Sequence, residues 1–323
     1  MKKRSLKILS LFIAALTLLS LMSISASAAT VTKTKEYTIK GLQSGNAVQK
    51  AVIYGSYVYT IQHSGTNSWL TKCKIDEDTK TATRVGDRMV LQNFGHAQSL
   101  EPFSYNGKTY FWVNCKNNPN DPDWNWGIQV ARIEFKSGET VNYTSVPRLT
   151  FGSITRVEFA LSSDANEILF WVKNGSSVTW SAYKTAAINK KLDEKAQESS
   201  HYINISNFTK IFSTTSCTGS SHRPNGSNQG LEFANYVPSN GTGRSIYICG
   251  GAAGDNLGIF KLVKSGSGYT LHKKIWLGTI GGEGEMEGLQ IKGSKLYFSV
   301  TDKSKAKDSG RFVIYSIPKS AFD

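Results

Sequence analysis

The sequence lacks the short motifs that mark common catalytic and metal sites. It contains no Gly-x-Ser-x-Gly nucleophile elbow, no phosphate-binding glycine loop and no His-Glu-x-x-His pair. Its 4 cysteines and 5 histidines do not show the spacing of a zinc site. The sequence therefore assigns no catalytic residue and no metal ligand, and no resident cofactor is expected.

Long apolar runs are also missing after residue 29, so no later stretch is expected to span a bilayer. The one long run, ILSLFIAALTLLSLMSIS, follows a cluster of basic residues and ends near Ala26-Ser27-Ala28. This order is typical of a cleaved signal peptide, predicted over residues 1–29, and it implies a secreted, extracellular protein. The alternative is an uncleaved membrane anchor.

Cysteine is scarce, with Cys73, Cys115, Cys217 and Cys249 as its only occurrences. An even number in an exported chain permits disulfides, and one possible arrangement pairs Cys217 with Cys249 and Cys73 with Cys115. The alternative is that all four are buried free thiols that pack as small apolar side chains.

Acidic residues are few relative to basic ones, and the formal net charge of the chain is +14. Loss of residues 1–29 removes four basic and no acidic residues, which leaves +10. This charge favours anionic partners of the bacterial envelope, such as teichoic acids, anionic lipids or acidic glycans, over nucleic acid. The alternative is that scattered lysines serve solubility alone. The oligomeric state is left open.

A repeated unit organises the rest of the sequence. An acid or amide is followed by a small or basic residue, an apolar residue and a second acid or amide, and then by two β-rich runs separated by a turn. Copies begin at Gln49, Gln98, Thr155, Gln229 and Glu287. The intervals of 49, 57, 74 and 58 residues each hold about four strands, as a propeller blade does.

The repeat predicts one all-β domain over residues 30–323, a β-propeller with five blades of four antiparallel strands. No linker divides the copies, and no helices separate the strand clusters. The final copy offers one strand fewer than the others, and a spare strand, Lys35 to Lys40, precedes the first copy. We therefore expect the N-terminal strand to complete the last blade and close the ring.

The repeated acids and amides are the candidate site, because the first strand of every blade lines the central channel. These side chains are expected to converge from different directions. The candidates are Gln98, Glu101, Glu158, Gln229, Glu232, Glu287 and Gln290, with His96, Arg156 and Glu285 close by.

Three interpretations of this cluster stay open. The groups can bind neighbouring backbone and hold blade to blade, as buried polar groups usually do. Their oxygen atoms can bind a ligand or a hard cation such as Ca²⁺. Two of the carboxyl groups can form a glycosidase-like pair, which requires a separation of ~5 to 10 Å.

Two segments depart from the strand pattern. The polar loop from Asn117 to Trp126 ends in Trp124 and Trp126, which suit stacking on a sugar or peripheral contact with a membrane interface. The alternative is that both tryptophans cap the neighbouring blade. Residues 186–197 are rich in helix formers, and their apolar spacing predicts one short helix within the third repeat.

Several of these stretches resemble the helveticin J family, a group of large, heat-labile class III bacteriocins. The similar pieces run in the same order as in that family. They are VQKAVIYGSYVYTIQ from Val48, GHAQSLEPF from Gly95, IQVARIEF from Ile128, VPRLTF from Val146, INKKLDEK from Ile188, NQGLEF and MEGLQI. The resemblance implies a secreted antibacterial protein that acts on related Gram-positive bacteria, and it supplies no catalytic residue.

The expected function is therefore that of a bacteriocin-like protein that binds the envelope of related bacteria and kills or inhibits them without covalent catalysis. Two alternatives come from other classes. A propeller lectin would bind surface glycans through repeated sites. A glycoside hydrolase of cell wall or capsule would use the channel carboxyl groups of Glu101, Glu158, Glu232 or Glu287.

Overall fold

The computed structural model describes residues 31–234 and 244–323, so the predicted signal peptide lies outside the described residues. The described chain is all-β. Its first part contains β1 Thr34–Lys40, β2 Val48–Tyr54, β3 Tyr57–Ser64, β4 Asn67–Asp76, β5 Thr81–Arg84, β6 Met89–Gln92, β7 Leu100–Tyr105, β8 Lys108–Asn117, β9 Gly127–Ile133, β10 Thr140–Asn142 and β11 Arg148–Thr150.

The second part contains one α-helix among the strands that are described. The elements are β12 Arg156–Leu161, β13 Glu167–Asn174, β14 Ser177–Lys184, α1 Thr185–Ala196, β15 Tyr202–Asn204, β16 Lys210–Thr214, β17 Gly230–Phe233, β18 Ile246–Gly250, β19 Leu257–Ser265, β20 Gly268–Gly278, β21 Gly284–Lys292, β22 Lys295–Asp302 and β23 Phe312–Pro318. Short 3₁₀ helices cover Tyr143–Ser145, Ile205–Asn207, Ser220–His222, Pro224–Gly226 and Lys319–Phe322.

Five antiparallel meanders follow one another through these residues. In the first, β2, β3 and β4 pair in order, and β5 and β6 both pair with β4. The second runs β7-β8-β9-β11, and the third runs β12-β13-β14-β16. The fourth runs β17-β18-β19-β20, and the fifth begins β21-β22-β23.

The N-terminal strand completes the fifth meander. β1 pairs antiparallel with β23, with Thr34 opposite Ser316 and Ile39 opposite Phe312, which is the pairing predicted for the N-terminal strand. β1 also pairs in parallel with β5, so it joins the first and last meanders into one ten-stranded sheet. This second pairing covers the edge that β1 would otherwise expose.

The first strands of the meanders, β2, β7, β12, β17 and β21, are called the hub strands here. β2 contacts β7 and β21, β12 contacts β7 and β17, and β17 contacts β21, so these contacts form a closed circuit. β12, with the sequence RVEFAL, is buried along its whole length, and β2, VQKAVIY, is buried except at its last residue. Charged side chains in the hub strands are therefore withdrawn from water and require partners.

Five apolar clusters hold the meanders together, each lying between two neighbours. Buried side chains of one meander interdigitate with those of the next, as alternation along each strand directs. Representative members are Val52 with Phe111, Trp112 with Phe159, Trp171 with Leu231, Ile259 with Phe298, and Ile39 with Val58.

The four cysteines are free, so the suggested disulfide pairing is wrong. The reason is that each thiol packs in or against a different apolar cluster, which keeps the four apart. Cys73 lies between the fifth and first meanders, Cys115 between the first and second, and Cys249 between the fourth and fifth. Cys217 packs against the cluster between the third and fourth, and its thiol contacts the carbonyl of Tyr269.

The helix predicted over residues 186–197 is confirmed as α1, which begins and ends one residue earlier. Ile188 and Leu192 are its buried apolar residues, and they pack in the cluster between the second and third meanders. Within residues 31–234 and 244–323, no helix is both long and apolar enough to cross a membrane.

Candidate functional site

Lys50 of β2 lies among the hub strands and contacts carboxylates from two of them. Its Nζ atom is 2.6 Å from Oε1 of Glu101 in β7 and 2.8 Å from Oε1 of Glu232 in β17. The exposed fraction of Lys50 is 1%. One buried ammonium group therefore links three meanders through charge-assisted hydrogen bonds.

One glycine makes room for Lys50, and a second glycine packs closely against the first. They occupy the second position of the repeated unit, where Lys50 itself stands in the first copy. A Cβ atom on Gly288 would lie 2.7 Å from Cγ of Lys50, and Gly288 has a φ of +71°. A Cβ atom on Gly230 would lie 2.5 Å from Cα of Gly288. Gly288 is thus required by the long basic side chain of the first copy, and Gly230 by the close approach of the Gly288 backbone.

Arg156 of β12 is the second cation of the hub, nearer the beginning of the strands. Its Nε atom donates to Oε1 of Glu158 at 2.7 Å, and Nη2 donates to the backbone carbonyl of Asn228 at 2.8 Å and to Oε1 of Gln98. The second oxygen of Glu158 accepts a hydrogen bond from Ser99 Oγ at 2.7 Å. Both oxygens of this buried carboxyl group therefore have donors.

Amide side chains connect Arg156 to the last hub strand. Gln98 Nε2 donates to Oε1 of Gln229 at 2.6 Å and to Oε2 of Glu287 at 3.1 Å. Glu285 lies at the rim of this group, where it pairs with Lys303 at 2.7 Å. Four of the predicted side chains, Gln98, Glu158, Gln229 and Glu287, thus belong to one hydrogen-bonded network around Arg156.

At the other end of the hub strands, polar side chains bind backbone. Gln290 accepts from the N–H of Ile53 at 2.7 Å and donates to its carbonyl at 3.1 Å. The second oxygen of Glu232 accepts from the N–H of Ile291 at 3.1 Å. These contacts fix neighbouring hub strands to one another, which is the scaffold role considered among the three interpretations.

Burial dominates the electrostatics of the hub. It raises the pKa of Glu101 well above its ordinary value, and the charge of Glu232 raises it further. Burial and then the charge of Glu285 raise the pKa of Glu287 well above its ordinary value. Burial also raises the pKa of Glu158. Burial alone lowers the pKa of Lys50, but the carboxylates of Glu101 and Glu232 outweigh it and keep the ammonium charged.

A pocket of about 360 Å³ opens at the end of the hub strands, with Glu101, Glu232 and Gln290 in its lining. Oε1 of each glutamate accepts from Lys50, and Oε2 of Glu232 accepts from backbone, so three of these four oxygens already have donors. In the part of the chain that the structure describes, no three His, Cys, Asp or Glu side chains come together as a metal site. The arrangement can hold strands together with charge, and these residues give the Ca²⁺ interpretation no support.

Four aromatic rings form a stacked column beside Arg156. Trp124 stacks on Trp126 with centroids 5.9 Å apart, Trp126 on His96 at 4.2 Å, and His96 on His63 at 4.4 Å. The guanidinium carbon of Arg156 lies 3.5 Å from the centroid of Trp126. Trp124 at the outer end is 58% exposed, whereas His96 at the inner side is buried. The loop thus presents one free indole face on a rigid base.

His96 is held in place as well as stacked. Its Nε2 atom lies 2.6 Å from Oε1 of Gln49, the first residue of the first repeat. Burial lowers the pKa of His96 well below its ordinary value, and the charges of His63 and Arg156 lower it further. Because the imidazole resists protonation, it serves as a neutral stacking partner for Trp126.

Ten of the twelve predicted site residues lie in three neighbouring groups, and Glu285 lies at the rim of the second. The first group lies toward the end of the hub strands and consists of Glu101, Glu232 and Gln290. Arg156 contacts the second and third groups. The second group is Gln98, Glu158, Gln229 and Glu287, and the third is His96, Trp124 and Trp126. The alternative that both tryptophans cap a blade is not favoured for Trp124, because its side chain is exposed.

Sequence reasoning missed Lys50 and Asn228. The signal for Lys50 was present, because a lysine within the otherwise apolar strand VQKAVIY occupies the small-or-basic position of the repeated unit. Asn228 precedes the fourth copy and carries no such signal. Its contribution to the hub is a backbone carbonyl, which any residue supplies.

Solved structures with a similar chain trace are distant in sequence. The tail fibre of Staphylococcus aureus phage P68 matches with a TM-score of 0.63 and 11% identity, over 90% of this chain and 53% of that chain. This chain thus spans about half the length of that fibre, and the likeness concerns the fold alone.

Other similarities are weaker. RS223 β-xylosidase has a TM-score of 0.41 and 8% identity, over 84% of this chain and 91% of that one. The Penicillium chrysogenum α-L-arabinanase complexed with arabinobiose has a TM-score of 0.37 and 9% identity, over 82% and 72%. None of the curated proteins that were compared matches the sequence. The family model described as bacteriocin helveticin-J matches residues 27–320.

Proposed function

The chain belongs to the helveticin J family of bacteriocins, and on that premise we propose that it is a secreted antibacterial protein that binds the envelope of related Gram-positive bacteria. It inhibits or kills them without covalent catalysis. Secretion follows from the signal peptide proposed for residues 1–29, which lie outside the described residues. The basic charge of +10 that remains favours the anionic polymers of such an envelope.

The scaffold of this function is a five-bladed β-propeller. Support comes from the five meanders, from the closed circuit of contacts among the hub strands, and from the pairing of β1 with β23. In such a ring one face of the hub carries the aromatic column and the other carries the pocket with Glu101 and Glu232. The two ends of the channel then have different chemistry.

The exposed face of Trp124 is the observation that carries the binding proposal. An indole that is 58% exposed and backed by Trp126, His96 and the Arg156 guanidinium offers a flat apolar surface at low entropic cost. Such a surface stacks on the apolar face of a sugar ring. Carbohydrate of the envelope is therefore the proposed target, and the same indole also suits peripheral contact with a membrane interface.

The absence of covalent catalysis is supported by the state of the hub carboxyl groups. A glycosidase needs one carboxyl group free to protonate the leaving oxygen and another free to attack or activate water. Glu101 and Glu232 instead share Lys50, and both oxygens of Glu158 accept hydrogen bonds. Substitution of Glu101 by Gln is thus expected to alter stability and to leave wall sugars uncleaved in both proteins.

Growth inhibition by the purified mature protein on a panel of Gram-positive bacteria tests the proposal. We expect inhibition of some strains at micromolar concentration, and Trp124→Ala is expected to weaken both inhibition and binding to isolated walls by tenfold or more. The exposed Trp276 provides a matched control, since Trp276→Ala removes an indole from another meander. No inhibition of any strain, or equal loss in both variants, would contradict the proposal.

A further inference from the structure

Four residues near the beginning of the hub strands, connected through Arg156 and Trp171, are called the donor cluster here: Arg156, Trp171, Arg223 and Asn228. The guanidinium carbons of Arg156 and Arg223 lie 5.5 Å and 5.8 Å from the ring centroid of Trp171. The carbonyl of Asn228 accepts from Nη2 of Arg156 at 2.8 Å. Two guanidinium groups thus share one indole and one short loop.

The loop that carries Arg223 and Asn228 is fixed by close packing. Pro224 is buried, and a Cβ atom on Gly250 would lie 2.7 Å from its carbonyl oxygen. Beyond Asn228, the N–H of Gln229 donates to the carbonyl of Cys249 at 3.0 Å. Arg223 is therefore held near the hub by a rigid segment, and its placement does not depend on its own ion pairs.

Three donors in the donor cluster have no acceptor among residues 31–234 and 244–323. They are Nε of Arg223, Nδ2 of Asn228 and Nε1 of Trp171, all of them buried atoms. Asn228 is only 2% exposed, and its side-chain oxygen is also without a donor. Buried polar groups in native proteins are nearly always hydrogen-bonded, so three unpaired donors on residues that Arg156 and Trp171 connect point to an acceptor supplied by a ligand.

Charge indicates which acceptor suits the donor cluster. Arg156 is neutralised by Glu158, at 2.7 Å, whereas Arg223 has no acidic partner in the described part of the chain. Burial lowers the pKa of Arg223, and the charge of Arg156 lowers it further. The net charge of the donor cluster with Glu158 is thus one positive unit, which matches a ligand group that carries one negative charge.

We propose that the donor cluster binds the phosphodiester group of a sugar-bearing phosphate polymer, while Trp124 stacks on the sugar of that polymer. The guanidinium fork of Arg223 suits two phosphate oxygens, and a phosphodiester carries a single negative charge. Arg156 connects the two parts of this site, because it contacts Trp126 as well as Trp171. The assignment rests on the proposed function and names the chemistry of its target.

Binding to immobilised wall teichoic acid, a phosphodiester polymer with sugar substituents, tests the assignment. Arg223→Gln is expected to weaken binding by tenfold or more. Arg311→Gln is a matched control, because Arg311 also has a buried Nε atom without a partner but lies in the connection before β23. Its binding is expected to stay within twofold. Equal loss in the two variants would overturn the site, since net charge alone would then explain binding.

Three further arms separate the sources of the anion. Polygalacturonate offers carboxylates, dextran offers no charge, and phosphatidylglycerol vesicles offer a lipid phosphodiester. We expect a preference for the teichoic acid over all three. Preference for polygalacturonate or for vesicles would overturn the proposal, because the ligand would then be a carboxylate or a lipid headgroup.

A competition experiment needs no variant and so stands even if Arg223→Gln does not fold. Glycerophosphoglycerol, a soluble phosphodiester, is expected to displace the wild-type protein from teichoic acid, whereas acetate at equal ionic strength is not. Equal displacement by both would overturn the assignment. If the wild-type protein inhibits growth but does not bind phosphodiesters, the phosphodiester site is refuted and the proposed function is not. If it neither inhibits growth nor binds walls, both proposals are refuted.

Discussion

Replacement of Lys50 by Met removes the cation that pairs with Glu101 and Glu232. Met has a similar length and no charge, so the space beside Gly288 stays filled. Glu101 is 6% exposed and Glu232 is 3% exposed, so both carboxyl groups stay buried in the variant. They lose the ammonium group that lies 2.6 Å from Glu101 and 2.8 Å from Glu232 in the wild type. The variant therefore isolates the electrostatic contribution of Lys50 from its packing.

The expected loss is about 3–5 kcal/mol in the free energy of unfolding at pH 7.5, because removing one partner of a buried ion pair leaves a buried charge uncompensated. The expected size decides between two views of Lys50. A lysine in a solvated channel would cost ~0 to 1 kcal/mol, as exposed ion pairs do. Lys40→Met, at the exposed end of β1, is the matched control and is expected to change stability by about 0.5 kcal/mol or less.

The loss of unfolding free energy in Lys50→Met should also depend on pH. Because the carboxyl groups are buried, the loss should grow as pH rises. Without the ammonium, nothing offsets the burial that raises the folded-state pKa of Glu101 above the unfolded value of about 4.3. The stabilising effect of the bound protons is then complete below pH ~4.3 and disappears as pH rises through the folded-state pKa. Lys50→Met should consequently approach the wild type in stability near pH 4.5 and fall behind it by pH 7.5.

Urea unfolding of wild type, Lys50→Met and Lys40→Met at both pH values measures these differences. Adding Glu101→Gln and Glu232→Gln to Lys50→Met should recover part of the loss, because neutral amides no longer require a cation. A loss below about 1 kcal/mol at pH 7.5, or the same loss at both pH values, would refute the view that Lys50 is a buried counter-ion.

Two further predictions concern other parts of the ring. Glu287→Gln keeps an acceptor for Gln98 but cannot ionise, whereas the wild type loses stability as pH rises through the raised pKa of Glu287. The free energy of unfolding of the variant at pH 8 should therefore equal or exceed that of the wild type. Urea unfolding at pH 5 and pH 8 measures this, and a less stable variant at pH 8 would contradict it. Ile39→Ala opens a cavity between the first and last meanders and should lower the free energy of unfolding by about 2–5 kcal/mol. Denaturant unfolding measures this loss. A loss below ~1 kcal/mol would show that β1 does not close the ring.

The alternation of apolar residues and turns was sufficient to predict the hub strands and the place of β1. The sequence EYTIK reads as a strand, and only the last meander lacked one. The parallel pairing of β1 with β5 was not predictable, because β5 has just four residues and its hydrogen bonds to β1 leave no mark in side-chain periodicity.

Two short strands also escaped prediction because they leave their own meander. β10, Thr140–Asn142, pairs in parallel with β6 of the first meander, and β15, Tyr202–Asn204, pairs in parallel with β11 of the second. Three residues show no periodicity, and the partner lies in the preceding repeat. Together with α1, β15 accounts for the length of the 74-residue interval in the sequence.

The candidate site was predicted as a set of residues but not as an arrangement. Copies of a repeat place like positions near one centre, so the convergence of Glu101 and Glu232 followed from spacing alone. The spacing could not predict which side chain fills the centre. One position of the repeat is occupied by five different side chains or glycines: Lys50, Ser99, Arg156, Gly230 and Gly288. Their sizes decide the outcome, since a Cβ atom on Gly288 would collide with Lys50.

Arg156 gives the site its connection between stability and binding. Its Nε atom lies 2.7 Å from Oε1 of Glu158, and its guanidinium carbon lies 3.5 Å from the ring centroid of Trp126. Arg156 therefore cannot shift toward a ligand without breaking its ion pair with Glu158. Lys50, by contrast, pairs with Glu101 and Glu232 in the hub. A rigid Arg156 therefore orients Trp126, and through it Trp124, while the unneutralised charge that a ligand meets belongs to Arg223.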